Sequence, residues 1–354
     1  VNQKLLAIFA ALIMGLGCHS ESFAQKPMRA GTTSANFLEI GFGAAGASMG
    51  DSYVSLANDA SAIYWNPAGL ANLERSEAMF VSQPWIAEIN TSMTALALVL
   101  PNFGTIGLGF INANYGEMEV TTLAMQEGTG EMFASQDMVV SLSYARKIVN
   151  WFSVGASSKY VASKIWHTSA WALAFDLGVI IQTDFFSTTG RREDGLNIGM
   201  SIANYGSPLR YEGMDLLQQI DISDGEAGNF RDVPGQFKLH SWELPLIFRI
   251  GAAYHPWVTE NHQLTLSMDA LHPNNNTESL NLGAQYTFSS PSFGKFILRG
   301  GYKALFMEDS QYGLTFGAGL LTNFLFNKGV KFEYGFRDLG VLGSVHFYGI
   351  SVLF

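Results

Sequence analysis

The chain carries seven histidines, His19, His167, His240, His255, His262, His272 and His346, and a single cysteine, Cys18. Zinc ligation from a helix needs two histidines one turn apart, and no HxxxH or HExxH spacing occurs. Gly41-x-Gly43 and Gly107-x-Gly109 are followed by no βαβ unit, so neither is a phosphate loop. His240, His255 and Asp269 are residue types a hydrolase could use, but nothing in their spacing fixes a common geometry. We therefore expect no catalytic residue, no metal site, no cofactor and no enzyme activity. What remains is a set of charges planted singly in apolar stretches: Lys159, Asp176, Arg249, Asp269, Arg299, Lys331, Glu333 and Arg337. A charge held away from bulk water must be paired or locally wet. The chemistry expected of these residues is ion pairing across an interior, or the seating of a polar headgroup.

The elements that carry them are strands. Fourteen segments of strand length follow residue 75: 76–85, 90–100, 104–115, 137–148, 152–165, 170–183, 195–206, 244–257, 262–271, 278–289, 295–306, 313–324, 329–337 and 343–354. In the sixth, Trp171, Leu173, Phe175, Leu177, Val179 and Ile181 share one face and Asp176 takes the other. In the eighth, Leu246, Phe248, Ile250, Ala252 and Tyr254 oppose Arg249 and His255. In the eleventh, Phe296, Leu298 and Tyr302 oppose Lys295 and Arg299. In the thirteenth, Val330, Phe332, Tyr334 and Phe336 oppose Lys331, Glu333 and Arg337. Alternation of this length means one apolar and one wet face. A soluble sandwich would also alternate.

Loop length separates the two. The connections 101–103, 149–151, 258–261, 290–294 and 325–328 are short and fall at one end, with 184–194 the longest there; 116–136 and 207–243 fall at the other. Outer-membrane barrels have short periplasmic turns, longer external loops and an even strand number. The expected fold is all-β: a 14-stranded antiparallel transmembrane barrel in the outer membrane, N-terminus periplasmic and long loops extracellular. Composition agrees. Aromatic residues make up 13%, charged residues only 14%, and 37 residues are glycine. A net charge of -10 excludes nucleic acid as a natural partner. Residues 1–24 read as a signal peptide, with an apolar run from Leu5 to Leu16 and the small-x-small site Ser22-Phe23-Ala24. Lipidation at Cys18 is the rival reading, weakened by Gly15 where a lipoprotein signal has Leu. Tyr348, Ile350, Val352 and Phe354 alternate to a terminal aromatic, an assembly signal for barrel-assembly machinery. Trp85, Trp151, Trp166 and Trp257 near strand ends are expected in interfacial girdles, against outer-membrane lipid. Loop 207–243 is either a cap over the mouth or a docking surface with Leu216, Leu217, Ile220, Phe230 and Phe237 as anchors.

Residues 25–75 precede the strands, and 46–73 are too small and polar for a wall strand. We expect them to fold inside the barrel as a plug. Asp51, Asn58 and Asp59 are then natural partners for basic wall residues. Asn58 or Asp59 reads as a helix N-cap, and Pro67 breaks the chain after Asn66. The segment 35–73 also resembles the opening of the PorV/PorQ family, part of the wider FadL-like group of outer-membrane barrels. The matching residues are Phe37-Leu38, Gly41, Ala44, Met49-Gly50, Val54, Asn58-Asp59-Ala60-Ser61-Ala62 and Trp65-Asn66-Pro67-Ala68-Gly69-Leu70. Two roles follow from the resemblance. One is an accessory or shuttle component of a type IX-like secretion system, docking a translocon and cargo C-terminal domains at the outer loops. The other is passive transport of long-chain fatty acids or other hydrophobic small molecules, with a mobile Asn-Pro-Ala segment and a kink that opens a lateral exit. Asn66-Pro67-Ala68 is common to both.

Overall fold

The computed structural model describes residues 29–223, 225, 233–291, 293–324 and 328–354. The expected signal segment, Cys18 and Phe230 lie outside them. Fourteen strands build the wall: β1 (Glu77–Pro84), β2 (Asn90–Leu100), β3 (Gly104–Glu119), β4 (Met132–Val149), β5 (Phe152–Ile165), β6 (Thr168–Gln182), β7 (Asn197–Gly206), β8 (Ile247–Val258), β9 (His262–Pro273), β10 (Ser279–Ser290), β11 (Gly294–Leu305), β12 (Leu314–Phe324), β13 (Lys328–Asp338) and β14 (Ser344–Leu353). Each pairs antiparallel with its sequence neighbours, and β1 pairs with β14 to close the ring. Closure leaves no wall strand with a free edge along the seam, as a chain surrounded by lipid requires.

Side chains are arranged inside out. In β6 the even positions from Ala170 to Asp176 are buried, while Trp171, Leu173, Phe175 and Leu177 are exposed on the outer face. The same split puts Phe332 and Tyr334 outward and Lys331, Glu333 and Arg337 inward on β13. Along β14 and just past its end, Tyr348, Ile350, Val352 and Phe354, expected as an assembly signal, are all exposed on the outer face. An apolar exterior around a polar, filled interior is the arrangement of a transmembrane barrel.

The plug fills the lumen with short elements. A 3₁₀ turn (Asn36–Glu39) leads into α1 (Ala44–Ser48), α2 (Ala62–Trp65) and a second 3₁₀ turn (Pro67–Asn72). The aromatic centre is Phe42, Tyr53, Tyr64 and Trp65. Tyr64 meets Phe42 edge-on at 5.5 Å and Trp65 at 4.9 Å between centroids. The Tyr64 hydroxyl donates to Leu38 O at 2.8 Å and accepts from Gly41 N at 3.1 Å, tying the start of the plug to its centre. Asn66 is the cap of the second turn. Its Oδ1 accepts from Ala68 N, and Pro67 sits at N1, where its missing N–H costs nothing.

One feature departs from the expected orientation. The sequence reading sets the N-terminus and the long loops at opposite ends. In the structure Ser34 N donates to Glu243 O at 3.0 Å and Thr33 bridges to Glu243, so the described N-terminal residues lie at the long-loop mouth. Only the start of β1, reached after the chain has passed down the lumen, lies at the turn end.

Candidate functional site

The plug is seated on glycines of the wall. Four of the positions are cross-strand glycine pairs: Gly155–Gly178, Gly199–Gly251, Gly283–Gly301 and Gly317–Gly335. A Cβ at Gly155 would lie 2.4 Å from Ala68 N, and one at Gly199 2.4 Å from Val54 O. At Gly301 it would lie 2.3 Å from Met49 C, and at Gly317 2.0 Å from Ser48 Oγ. The first three pairs are therefore notches into which plug backbone fits, and Gly317–Gly335 is one that takes the Ser48 side chain, since only a residue without a side chain permits so close an approach.

Between the notches, charges hold the plug. Toward the mouth, Asp51 of the plug takes both Arg337 and Lys303, the latter at 2.6 Å. Arg337 also donates to Ile40 O at 2.8 Å and lies over the Phe347 ring. Toward the turn end, Lys331 contacts Asp59 at 3.1 Å, Glu77 at 3.2 Å and Glu333 at 3.4 Å, and Arg299 closes on Glu333 at 2.8 Å. Asp269 uses one oxygen to accept from Tyr53 N and Val54 N, each at 2.8 Å. Lys159 pairs with Asp176 at 2.5 Å and reaches Asn204 at 2.9 Å within the wall.

All eight charges singled out by sequence are buried inside the lumen. Seven of them enter these contacts, and Arg249 is the exception. It is 3% exposed, lies over Tyr64 and Trp65 at 5.7 and 5.9 Å, and its Nε and Nη1 have no partner among the described residues. Lys303 and Glu77 are further members that the sequence reading missed. Lys303 follows Tyr302 in the alternating run of β11 and so belongs to the inward face, a signal that could have found it. Asn58 is exposed at the inner end and does not cap a wall charge. The helix that follows is capped differently from expectation: Asp59 accepts from Ser61 N at 3.0 Å, and helix α2 starts only at Ala62. His240, His255 and Asp269 are not assembled. His240 is an exposed loop residue, His255 bonds Gly195 O at 3.1 Å at the turn end, and Asp269 is committed to the plug.

Two neighbouring spaces open above the plug. The larger, about 440 Å³, lies under the mouth loops between Phe37, Ile40, Trp85, Ile86, Tyr115 and Leu339. Trp85 thus lines the interior and is half-buried, not a girdle residue, whereas Trp151 and Trp257 are exposed on the outer face as expected. The smaller space, about 100 Å³, lies deeper, against Tyr64, Trp65 and Arg249, and shares Glu39, Met307 and Tyr312 with the first. A third cavity of about 310 Å³ at the turn end is polar and lined by the Lys331–Asp59–Glu77 cluster. The plug separates it from the mouth. Across β2, β3 and β4 the wall is paired from Asn90–Asn114 to Thr105–Ala145, whereas beside the deeper space the β10–β11 pairing shifts between Leu280 and Leu282.

The mouth loop 207–246 folds partly over β6. Asp215 accepts from His167 N and Thr168 Oγ1 at 3.1 and 3.0 Å and meets His167 Nδ1 at 3.0 Å. Desolvation pushes the Asp215 carboxyl up, but these hydrogen bonds, His167 first, more than offset it and hold the group below its usual range. Beyond this clamp Leu217–Ile220 and Val233–Gln236 form a two-stranded ribbon, in which Leu217, Ile220 and the following Phe237 are exposed, with Leu216 partly covered.

Solved structures share the fold of this closed fourteen-stranded barrel. The chain is similar in fold to the CymD monoaromatic hydrocarbon channel, with a TM-score of 0.56, 14% identity and coverage of 89% of this chain and 97% of that one. The Ralstonia pickettii toluene transporter TbuX matches at 0.53 and 10% identity, and the Pseudomonas putida toluene transporter TodX at 0.52 and 12%, each covering 88% of this chain and 97% of the other. At these identities the likeness is one of fold. No family model matches the sequence and no curated protein does, so the PorV/PorQ likeness stands on the plug residues alone.

Proposed function

We propose that this protein is an outer-membrane channel for hydrophobic small molecules, captured here with its plug seated. The observation that carries the reading is the apolar chamber of about 440 Å³ between the mouth loops and the plug, next to a smaller chamber that ends on Trp65 and Arg249. Its volume is that of a small-molecule site. The shared fold supports the same reading, because the solved structures named above are described as channels or transporters for aromatic hydrocarbons. In this reading the long loops face outside, a ligand collects under them, and passage requires the plug to leave its notches. The transport expectation drawn from the plug resemblance thus gains support that the secretion-shuttle expectation does not.

Uptake of a radiolabelled aromatic hydrocarbon into proteoliposomes tests this. Purified protein is expected to raise the initial rate severalfold over empty vesicles. A variant with the mouth chamber filled by Ala113→Trp is expected to lose that gain. Equal rates with and without protein would refute the proposal.

A second reading rests on the two-stranded ribbon of the mouth loop, where Leu217, Ile220 and Phe237 present exposed apolar side chains. In that reading the loop docks another protein, as a type IX-like translocon or a cargo domain would require. Deleting 214–239 would abolish co-purification of such a partner from solubilised outer membranes. Finding none with the intact chain would sink it.

A further inference from the structure

We infer that the mouth loop is a strap on the plug: its two legs, 207–215 and 242–246, form one unit with the lead-in, so that the plug leaves its notches only when the legs lift. The inference goes beyond the transport reading and does not depend on it. The legs are bonded to each other. Leu209 N donates to Trp242 O at 2.8 Å and Trp242 N to Leu209 O at 2.9 Å. Leu209 is fully buried, in the same apolar cluster as Phe37, Leu38 and Tyr64 of the plug. The first leg is seated on the wall. The Tyr211 hydroxyl shares a hydrogen bond with Ser163 of β5 at 2.7 Å, and Glu212 and Gly213 pair with Ser169 and Thr168 of β6.

The second leg is bonded to the lead-in, through the Thr33–Glu243 bridge and the bond from Ser34 N to Glu243 O. Two asparagines of the β9–β10 connection fasten the same joint. Asn274 Nδ2 donates to Leu244 O at 3.1 Å, and Asn275 Nδ2 to Thr33 Oγ1 at 2.8 Å and to Glu39 Oε2 at 3.2 Å. Ala35, next along the chain, holds φ 55°, a left-handed backbone that a residue with a Cβ keeps only when its surroundings fix it. Here Ser34 is bonded on one side, and Leu38 N donates to Ala35 O at 3.0 Å on the other. Leu38 lies four residues beyond Ser34, and its carbonyl accepts from the Tyr64 hydroxyl at the plug centre. A 3₁₀ stretch of that length gains only about 6 Å when drawn out straight. A leg that lifts further must pull Leu38, and Tyr64 with it. Seating of the loop and seating of the plug then share a coupling free energy. Phe37 and Ile40, on the same stretch, line the mouth chamber, so the strap also bears on the space that a solute would enter.

A disulfide staple tests this. Ser169 and Glu212 are exposed partners across an antiparallel pair, so Ser169→Cys with Glu212→Cys places two thiols within disulfide reach and pins the first leg to β6. The full-length protein also carries Cys18→Ser, and Ser55→Cys at a buried plug position serves as the reporter. Gly155→Ala is added so that its clash with Ala68 makes unseating measurable. Maleimide labelling is read by mass spectrometry of the peptide that holds residue 55, with the staple reduced and then oxidised. Oxidation is expected to slow labelling at least ~5-fold. Adding Ser34→Pro, which removes the donor to Glu243 O, is expected to bring the two rates within ~2-fold of each other. Labelling that oxidation leaves unchanged, whether fast or absent, would overturn the inference. So would an equal slowing in the Ser34→Pro protein, because the effect would then travel through the wall and not the lead-in. Each comparison is between two states of one folded protein, and the uptake experiment decides the transport reading separately.

Discussion

Replacing Gly155 by alanine would unseat the plug without touching its sequence. The added Cβ would lie 2.4 Å from both Ala68 N and Pro67 C, whereas ordinary contact begins at 3.4 Å. The difference, 3.4 − 2.4, means that the Pro67–Ala68 backbone must retreat by about 1 Å. Overpacking against backbone costs about 1–3 kcal/mol. The retreat also stretches the bond from Asn66 Nδ2 to Val179 O, already 3.1 Å long, at about 1 kcal/mol. Together they make about 3 kcal/mol, a fall of about two orders of magnitude in the ratio of seated to unseated plug. Gly349 is the control: it also faces the lumen, but its Cβ would find its nearest neighbour at 3.5 Å. A reporter can be built at Ser55, which is buried and whose hydroxyl has no partner among the described residues, so Ser55→Cys removes no hydrogen bond seen there. With Cys18, the chain's one cysteine, changed to serine, maleimide labelling of Cys at 55 reads the unseated fraction. Labelling of the Gly155→Ala protein should run about a hundred times faster than that of Gly349→Ala. Rates within twofold of each other would refute the claim that the notches set the plug's position.

Three further outcomes follow from contacts already described. Asp51→Asn leaves Arg337 and Lys303 buried without their counter-charge and should cost about 3–5 kcal/mol, read as a lowered unfolding temperature in a heat-modified gel shift. Asn66→Ala removes the cap at Ala68 and both donor bonds, to Val54 O and Val179 O, and should loosen the plug by about 2 kcal/mol, measured by the same Ser55→Cys labelling. The Asp215 clamp follows pH with a definite sign. A carboxyl held below its unfolded value stabilises above that value, about 3.9, and loses its effect as pH falls through the lower folded one. Amide exchange at His167, taken relative to an unstructured amide at the same pH, should stay slow down to about pH 4 and quicken below it. In Asp215→Asn it should be fast throughout, and an unchanged profile in that variant would show that the clamp is held by something else.

The wall was legible from the sequence because a strand facing lipid on one side and a plug on the other has to alternate. Strands such as β2 and β5 end where the pattern ends. The largest boundary miss is β4, which starts at Met132 and not at 137. There Met132, Phe133 and Ala134 pair with Glu119, Met118 and Glu117 past an irregularity, and a polar ribbon beyond the membrane has no reason to alternate. Burial of the charges was legible too, since each stood on the polar face of its strand. Their partners were not. Asp51 meets Arg337 and Lys303, far away in the chain, only because the plug lies at one particular depth. That depth is set by glycine pairs whose matching needs the strand register, and a register cannot be read from one strand at a time. The course of the lead-in was hidden for a similar reason, because short turns and long loops tell which end of a strand is which but not which way a segment inside them runs.

The lead-in has a consequence for how the molecule is put together. Between Ser34, bonded to Glu243 at the mouth, and Glu77, the first residue of the wall, the polypeptide travels the length of the lumen. Glu77 takes Ala60 N at 2.9 Å on one side, and its strand zips to β14 on the other. The ring is thus a clasp fastened around a thread of its own chain. A thread of this kind cannot be pushed through a finished ring without drawing its leading end past every notch. The last seam, between the first and the final strand, has to fasten with the thread already lying across it.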